Sequence, residues 1–264
     1  MSAPVFLCPK AADARPGDVL AVDGDEGRHA VTVQRRAVGE AVDLVDGLGR
    51  RASGEIIEAG GGQMRVRVAA VAQDHDAEVV LVQALAKGGR DEQAVESAIE
   101  LGATRIVPWG AQRSIVQWRG PKADKARDKW AALVVAATKQ SRRARVASVD
   151  AVVSTAQLTR LVADAVGDGA CVLVLHEAAA GPLTAVPWED PRQPVWLIVG
   201  PEGGISDDEL EQLRSAGARP VVLGPHVLRA SSAGPAAIAA LAAVRGTWDV
   251  ASGEADGPAD GGLR

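Results

Sequence analysis

Apolar positions along the chain follow two different patterns. Up to about residue 72 they come as short runs separated by turn residues: Val5–Leu7, Asp18–Val22, Ala41–Val45, Gly54–Ile57 and the alternating Met64-Arg65-Val66-Arg67-Val68. Alternation with period two sends successive side chains to opposite faces, so this region reads as the half-buried strands of a small β-barrel. The polar stretch Gln73-Asp74-His75-Asp76 reads as a linker. Beyond it, continuous apolar runs such as Val79–Val82 alternate with helical segments such as Asp91 to Leu101, which closes at Gly102. Unbroken apolar runs suit strands buried on both faces, and their alternation with helices predicts an α/β domain with a parallel sheet. The expected division is 1–72 and 77–248, followed by a tail, 251–264, whose Gly, Asp and Ala content reads as disordered.

Three of the apolar strands run into loops built for close approach. The first joins Leu197-Ile198-Val199 to Gly200-Pro201-Glu202-Gly203-Gly204-Ile205-Ser206. Ser206 with Glu209 three residues on forms a capping box, so a helix starts directly after the turn. The second joins Val221-Val222-Leu223 to Gly224-Pro225-His226-Val227-Leu228-Arg229, with Ser231 or Ser232 as a helix cap and Pro235 in the first turn. The third is Cys171–Glu177, ending in His176 and Glu177. In open α/β sheets, ligands bind where such strand ends meet, so the three loops predict the walls of one pocket.

Composition narrows the setting. At 264 residues the chain is long enough for one large domain or two smaller ones with real cores. Cys8 and Cys171 lie far apart in apolar strands, with neither a disulfide framework nor a metal-ligand spacing, and read as reduced core residues. No apolar run reaches a membrane-spanning length and no signal core follows the N-terminus, so the expectation is a cytoplasmic protein without membrane contact.

The formal net charge of −5 argues against a nucleic-acid partner until its distribution is considered. Between Arg113 and Arg145 ten positive residues face only Asp124 and Asp128, a phosphate-binding footprint or else a solvated helix face. Arg28, Arg35, Arg36, Arg50 and Arg51 add a second basic cluster in the N-terminal region. With no Tyr and one Phe, recognition of a nucleic acid would rest on phosphates and shape rather than on base stacking.

The Gly-Pro-Glu-Gly-Gly turn with its capped helix, followed by Leu223-Gly224-Pro225-x-Val227-Leu228-Arg229 and a small-residue helix start, resembles the RsmE family of the SPOUT superfamily of RNA methyltransferases. Further pieces lie in that family's order: His29 to Arg35 with Asp46-Gly47, Lys87-Gly88-Gly89-Arg90, Glu100-Leu101-Gly102, Arg113-Ser114 and Gln140-Ser141-x-Arg143. The chain departs from the pattern at Ser231 (commonly glutamate), Ser97 (lysine), Lys139 (glutamate) and His226 (arginine).

The resemblance implies a PUA-like barrel followed by a SPOUT-type parallel-sheet domain ending in a trefoil knot. It implies S-adenosyl-L-methionine as cofactor, N3 of a uridine in 16S ribosomal RNA of the small subunit as target, a homodimer and no metal. The cofactor would lie against Leu175, His176, Glu177, Gly200, Pro201, Glu202, Gly203, Gly204, Leu223, Gly224, Val227, Leu228 and Ser231. RNA would meet Arg28, Arg35, Arg36, Arg113, Gln140, Arg142 and Arg143.

Uridine N3 carries its proton at neutral pH, so a cation beside the base edge would stabilise the charge that develops there. Arg229 is the first candidate, with a structural salt bridge as its other reading. Glu202 either touches a ligand hydroxyl or the methionine amine, or braces the glycine turn through backbone amides. Ser231 and Ser232 either cap their helix or bond substrate, and His226 is either solvent-facing or catalytic. His75 between two aspartates reads as a surface turn rather than a metal site. Because N3 lies on the pairing edge, the expected target is an exposed uridine in a loop or junction. Two rival readings use the same features: a related enzyme methylating a ribose hydroxyl or another base, and a non-catalytic RNA-binding protein.

Overall fold

The computed structural model describes residues 3–248, so the expectation of a disordered tail lies outside the described residues. The chain forms two compact units, residues 3–75 with 138–146, and residues 76–137 with 147–248.

The first unit holds β1 (Val5–Leu7), β2 (Val19–Val22), β3 (Ala41–Val45), β4 (Arg50–Gly60) and β5 (Gln63–Gln73), hydrogen-bonded in the order β1-β3-β4-β5-β2. Only β1 and β3 pair in parallel; the other neighbours are antiparallel. The alternation seen in the sequence is realised in β5, where Met64, Val66 and Val68 are buried and the intervening arginines are exposed. Phe6, Val42, Leu44, Ala52 and Ile56 complete this core. The short helix α1 (Gly24–Arg28) packs Gly27 so tightly that a Cβ there would lie 2.6 Å from the Val22 carbonyl oxygen.

Residues 138–146 belong to this unit through specific contacts. Val146 N donates to the Gly47 carbonyl at 2.9 Å, Ala144 joins Val5 and Val45 in a small apolar cluster, and Lys139 Nζ lies 2.8 Å from Glu26 Oε2. Arg51 is held by Asp43 (2.8 Å), Asp74 (2.7 Å) and the Arg142 carbonyl (3.0 Å). Burial alone would lower its pKa, but the Asp74 and Asp43 carboxylates outweigh that and hold it above the usual arginine value. Arg50 Nη2 donates to the Ala14 carbonyl at 3.3 Å. Arg51 is therefore tied into the unit, and of the predicted basic cluster only Arg28 and Arg35 stand exposed, Arg36 being half-buried beside Glu40. The long-range carboxylates that claim Arg51 are invisible to local charge counting.

The second unit is a seven-stranded sheet in which every pairing is parallel. Its strands are β6 (Val79–Ala84), β7 (Arg105–Gly110), β8 (Ser148–Val149), β9 (Val153–Ser154), β10 (Cys171–Leu175), β11 (Val195–Val199) and β12 (Arg219–Val221). The order is β12-β10-β11-β6-β7-β8, with β9 also on β7. Its helices are α2 (Arg90–Glu100), α3 (Pro121–Gln140, whose last three residues belong to the first unit), α4 (Thr155–Gly167), α5 (Asp207–Ser215) and α6 (Ala230–Arg245). One face of the sheet buries Val80, Val82, Val107, Trp109, Val174 and Ile198 against Leu158 and Val162 of α4 and Leu213 of α5. On the other face α6 lies so close that a Cβ on Gly234 would be 2.8 Å from Leu81. Burial of both faces is why these strands read as unbroken apolar runs.

Two local expectations are corrected here. The strand written as Val221–Leu223 is Arg219–Val221. The helix that follows is not capped by Ser231 or Ser232: Arg229 stands at the cap position, its carbonyl accepting from Ser232 N (2.8 Å) and Ala233 N (3.0 Å), without any side-chain cap. The helix thus starts before both serines, and Pro235 falls in its second turn instead of its first.

Candidate active site

All strands of the second unit run the same way, so β10, β11 and β12 release their loops at one edge. Register makes this concrete, with Val174 opposite Ile198 and Leu175 opposite Val221. The loops beginning at His176, Gly200 and Val222 therefore converge, enclosing a cleft of about 790 Å³, within the range of small-molecule sites. The predicted meeting of three strand ends is present.

Most of the residues singled out line this cleft: Leu175, His176, Glu177, Gly200, Pro201, Glu202, Gly203, Gly204, Leu223, Gly224, Val227 and Leu228, together with His226, Arg229 and Arg113. Ser231 does not; it is buried in the first turn of α6. Arg90, Val199, Ile205, Val222, Pro225, Ala230 and Ala233 also line the cleft and were not among the residues named as cofactor contacts. For Val199, Ile205, Val222 and Pro225 adjacency to the named loops was a usable signal. For Arg90 the only trace was its place in the Lys87-Gly88-Gly89-Arg90 motif.

The glycine loop owes its composition to the protein's own packing. A Cβ on Gly200 would lie 2.7 Å from Ile205 Cγ1, and one on Gly203 would lie 3.0 Å from Arg113 Cβ. Gly204 has φ +74°, a conformation that side chains with a Cβ rarely adopt. The expectation that these glycines make room for a ligand thus needs a second cause: Ile205 and Arg113 fill that space from within. The capping box predicted for the next helix is complete, with Ser206 Oγ accepting from Glu209 N and Glu209 Oε2 accepting from Ser206 N at 3.1 Å.

Glu202 reaches across to a different loop. Its Oε1 accepts from Lys87 N at 3.2 Å and from Arg90 Nη1 at 3.3 Å, joining the glycine loop to the turn in which Gly88 and Gly89 both have positive φ. On the same side Asp91, 5% exposed, accepts from Ala86 N. Burial raises its pKa above the usual carboxylate value, against the lowering effect of its backbone amide partners. Arg113 Nη1 donates to the Gly203 carbonyl at 3.2 Å. Arg229 is exposed, and its guanidinium makes no hydrogen bond or ion pair among the described residues.

The remaining residues named for RNA lie in the first unit. Arg28 is exposed and paired with Asp25 at 3.0 Å, Arg36 is paired with Glu40 at 3.1 Å, and Arg35 takes a left-handed backbone at φ 54°. Gln140 ends α3, and Arg142 and Arg143 follow it in the 138–146 segment, with Arg142 also left-handed at φ 59°. Both cysteines are buried, and burial pushes each thiol above its usual pKa.

A parallel α/β sheet whose strand-end loops form a cleft, in a chain that also carries a separate five-stranded unit, defines the class. Residues 73–242 match the model of the RNA methyltransferase domain and residues 22–69 that of the RNA methyltransferase PUA domain. The chain is 43% identical over 242 residues to the ribosomal RNA small subunit methyltransferase E of Mycobacterium bovis, covering 91% of this chain and 92% of that one. It is 28% identical to the same-named protein of Bacillus subtilis, covering 84% and 89%. This chain belongs to the ribosomal RNA small subunit methyltransferase E family. Among solved structures, that family's protein from Neisseria gonorrhoeae, bound to S-adenosyl methionine, superimposes with a TM-score of 0.79 at 25% identity, over 92% of this chain and 98% of the other. A putative methyltransferase from Legionella pneumophila in complex with the same cofactor gives 0.78 at 28% identity, over 92% and 98%.

Proposed function

We propose that this chain transfers the methyl group of S-adenosylmethionine to N3 of a uridine in small-subunit ribosomal RNA, using the cleft between the loops that start at His176, Gly200 and Val222. The observation that carries the reading is the convergence of Leu175, Gly200 to Gly204 and Leu223 to Arg229 on one cleft, in a chain of this family.

The lining suits the cofactor. Leu175, Val199, Ile205, Val222 and Leu228 offer apolar surface for a purine ring and a methionine stem, while Glu177 offers a carboxylate to ribose hydroxyls or an ammonium group and Glu202 braces the wall. When bound, the cofactor supplies an electrophilic methyl on a cationic sulfur, so no metal is called for. The chain's own part is to hold donor and acceptor in line and to exclude water between them. Arg229, exposed and with no side-chain hydrogen bond or ion pair among the described residues, stabilises negative charge developing on the uracil edge as its N3 proton leaves. Arg113, at the rim and tied to Gly203, holds a phosphate or the base in register. Arg28, Arg35, Arg36, Gln140, Arg142 and Arg143 provide further phosphate contacts.

Two further features belong to this reading. A threaded, knotted path belongs to this reading; the chain after β10 runs beside the third loop, with Leu183 N donating to the Val222 carbonyl and Val222 N to the Gly181 carbonyl at 2.9 Å each. Pairing of two chains belongs to the same reading, and would cover the adjacent exposed Val227 and Leu228 at the cleft.

The test is labelled methyl transfer to small subunits and to naked ribosomal RNA from a strain lacking this protein, with nucleoside mass spectrometry of the product. N3-methyluridine as the product supports the proposal; a ribose-methylated nucleoside or no transfer overturns it. Arg229→Ala is expected to lower kcat by roughly a hundredfold to a thousandfold, the scale seen for loss of one charge-stabilising donor, with cofactor affinity retained.

A further inference from the structure

Glu209 is 3% exposed, yet it is a carboxylate surrounded by donors. Its Oε2 accepts from Ser206 N (3.1 Å) and Ser206 Oγ (3.0 Å), which is the helix cap expected from the sequence. Its Oε1 does something the cap does not require: it accepts from Gln112 N (2.7 Å) and from Thr155 Oγ1 (2.7 Å). Thr155 in turn accepts from Trp109 Nε1 at 3.2 Å, so its hydroxyl proton is free to point at Glu209. Four donors on two oxygens satisfy the charge without a cation, and each of those bonds is of the stronger, charge-assisted kind.

Gln112 is the residue before Arg113. The loop that carries them leaves the end of β7 and closes through Ser114 N to the Ala111 carbonyl at 3.0 Å. Glu209 fixes it at the Gln112 amide, and the Arg113 side chain then reaches the Gly203 carbonyl at 3.2 Å. One carboxylate thus holds the start of the helix behind the glycine loop with one oxygen and the Arg113 loop with the other. Thr155, at the start of α4, anchors this arrangement to a third element.

We propose that Glu209 is a positioning residue for RNA methylation, acting through Arg113: it sets the distance between that guanidinium and the glycine loop, and so the place where the substrate's phosphate or base is held. This rests on the methyl-transfer reading of the cleft. The two oxygens make the role separable from capping, because Ser206 engages only Oε2 whereas the Arg113 loop engages only Oε1.

The experiment is a pair of double-mutant cycles on kcat/KM for RNA, using the full chain, labelled S-adenosylmethionine and small subunits from a strain lacking this protein. Arg113→Ala and Glu209→Ala are each expected to lower kcat/KM by about tenfold to a hundredfold, the range for a misplaced positioning group. The double variant is expected to be no worse than the weaker single variant. Ser206→Ala, which weakens the cap alone, is expected to combine with Arg113→Ala multiplicatively. If Glu209→Ala does not fold, Glu209→Gln takes its place, since an amide cannot accept from both pairs of donors. Glu209 and Arg113 effects that multiply overturn the proposal, as does an Arg113→Ala enzyme with unchanged kcat/KM. A wild-type chain that methylates neither subunits nor naked RNA overturns the reading of the cleft instead.

Discussion

The Glu202 carboxylate accepts a hydrogen bond from the Lys87 amide at 3.2 Å across 115 residues of chain, and the Arg90 guanidinium from the same turn lies 3.3 Å from the same oxygen. A residue in the middle of a glycine-rich turn therefore spends its charge on a second loop. This favours bracing over ligand contact, but the brace spans two loops and does not close within its own turn.

Removal of that brace has a definite expected effect. Glu202→Ala leaves the Lys87 amide and Arg90 without their acceptor, and loss of a hydrogen bond of this kind costs about 1–2 kcal/mol. Calorimetry with S-adenosylmethionine is expected to show cofactor affinity lower by about tenfold, the equivalent of that energy. Glu202→Gln keeps an acceptor oxygen and is expected to stay near the wild type. Equal losses in both variants would mean that the carboxylate charge contacts the ligand directly.

Gly200→Ala tests why the loop is glycine-rich. Its new methyl would meet Ile205 Cγ1 at 2.7 Å inside the protein. Overpacking of this sort costs about 1–3 kcal/mol. Thermal denaturation without any ligand is expected to show the loss; unchanged stability with impaired cofactor binding would show that the ligand alone excludes a side chain here.

Lys139, where the resembled pattern commonly has glutamate, is paired with Glu26 at 2.8 Å, and both side chains are about four-fifths buried (18% and 22% exposed). Lys139→Glu sets two carboxylates against each other, and an expected loss of about 2 kcal/mol follows from breaking a charged hydrogen bond. Urea unfolding measures it. Adding Glu26→Lys is expected to recover only part, because Glu26 Oε1 also accepts from the Leu7 amide, which a lysine cannot do.

Asp91 sets a pH dependence. Burial raises its pKa in the folded state, so the fold keeps this proton to higher pH than the unfolded chain does. The folded state then binds more protons in the window between the ordinary carboxylate pKa and the raised one, and its stability falls as pH rises through that window. Urea unfolding of wild type and Asp91→Asn across the acid range is expected to show the difference moving in favour of the asparagine variant and levelling off above it. A difference that does not vary with pH would remove burial as the governing cause.

Much of this architecture is written in local pattern. The runs Val79–Val82, Cys171–Leu175 and Leu197–Val199 announce strands buried on both faces, and Ser206 with Glu209 announces a helix start, because these signals depend on residues only a few positions apart. The glycine-rich turns are visible for the same reason. Other features needed the folded chain. Arg51 is claimed by Asp74, 23 residues away; Arg90 enters the cleft beside Glu202, 112 residues away; and Glu209 meets Gln112 across 97. Strand order brings these partners together, and strand order is settled by packing of whole elements, so a local spacing carries no trace of it.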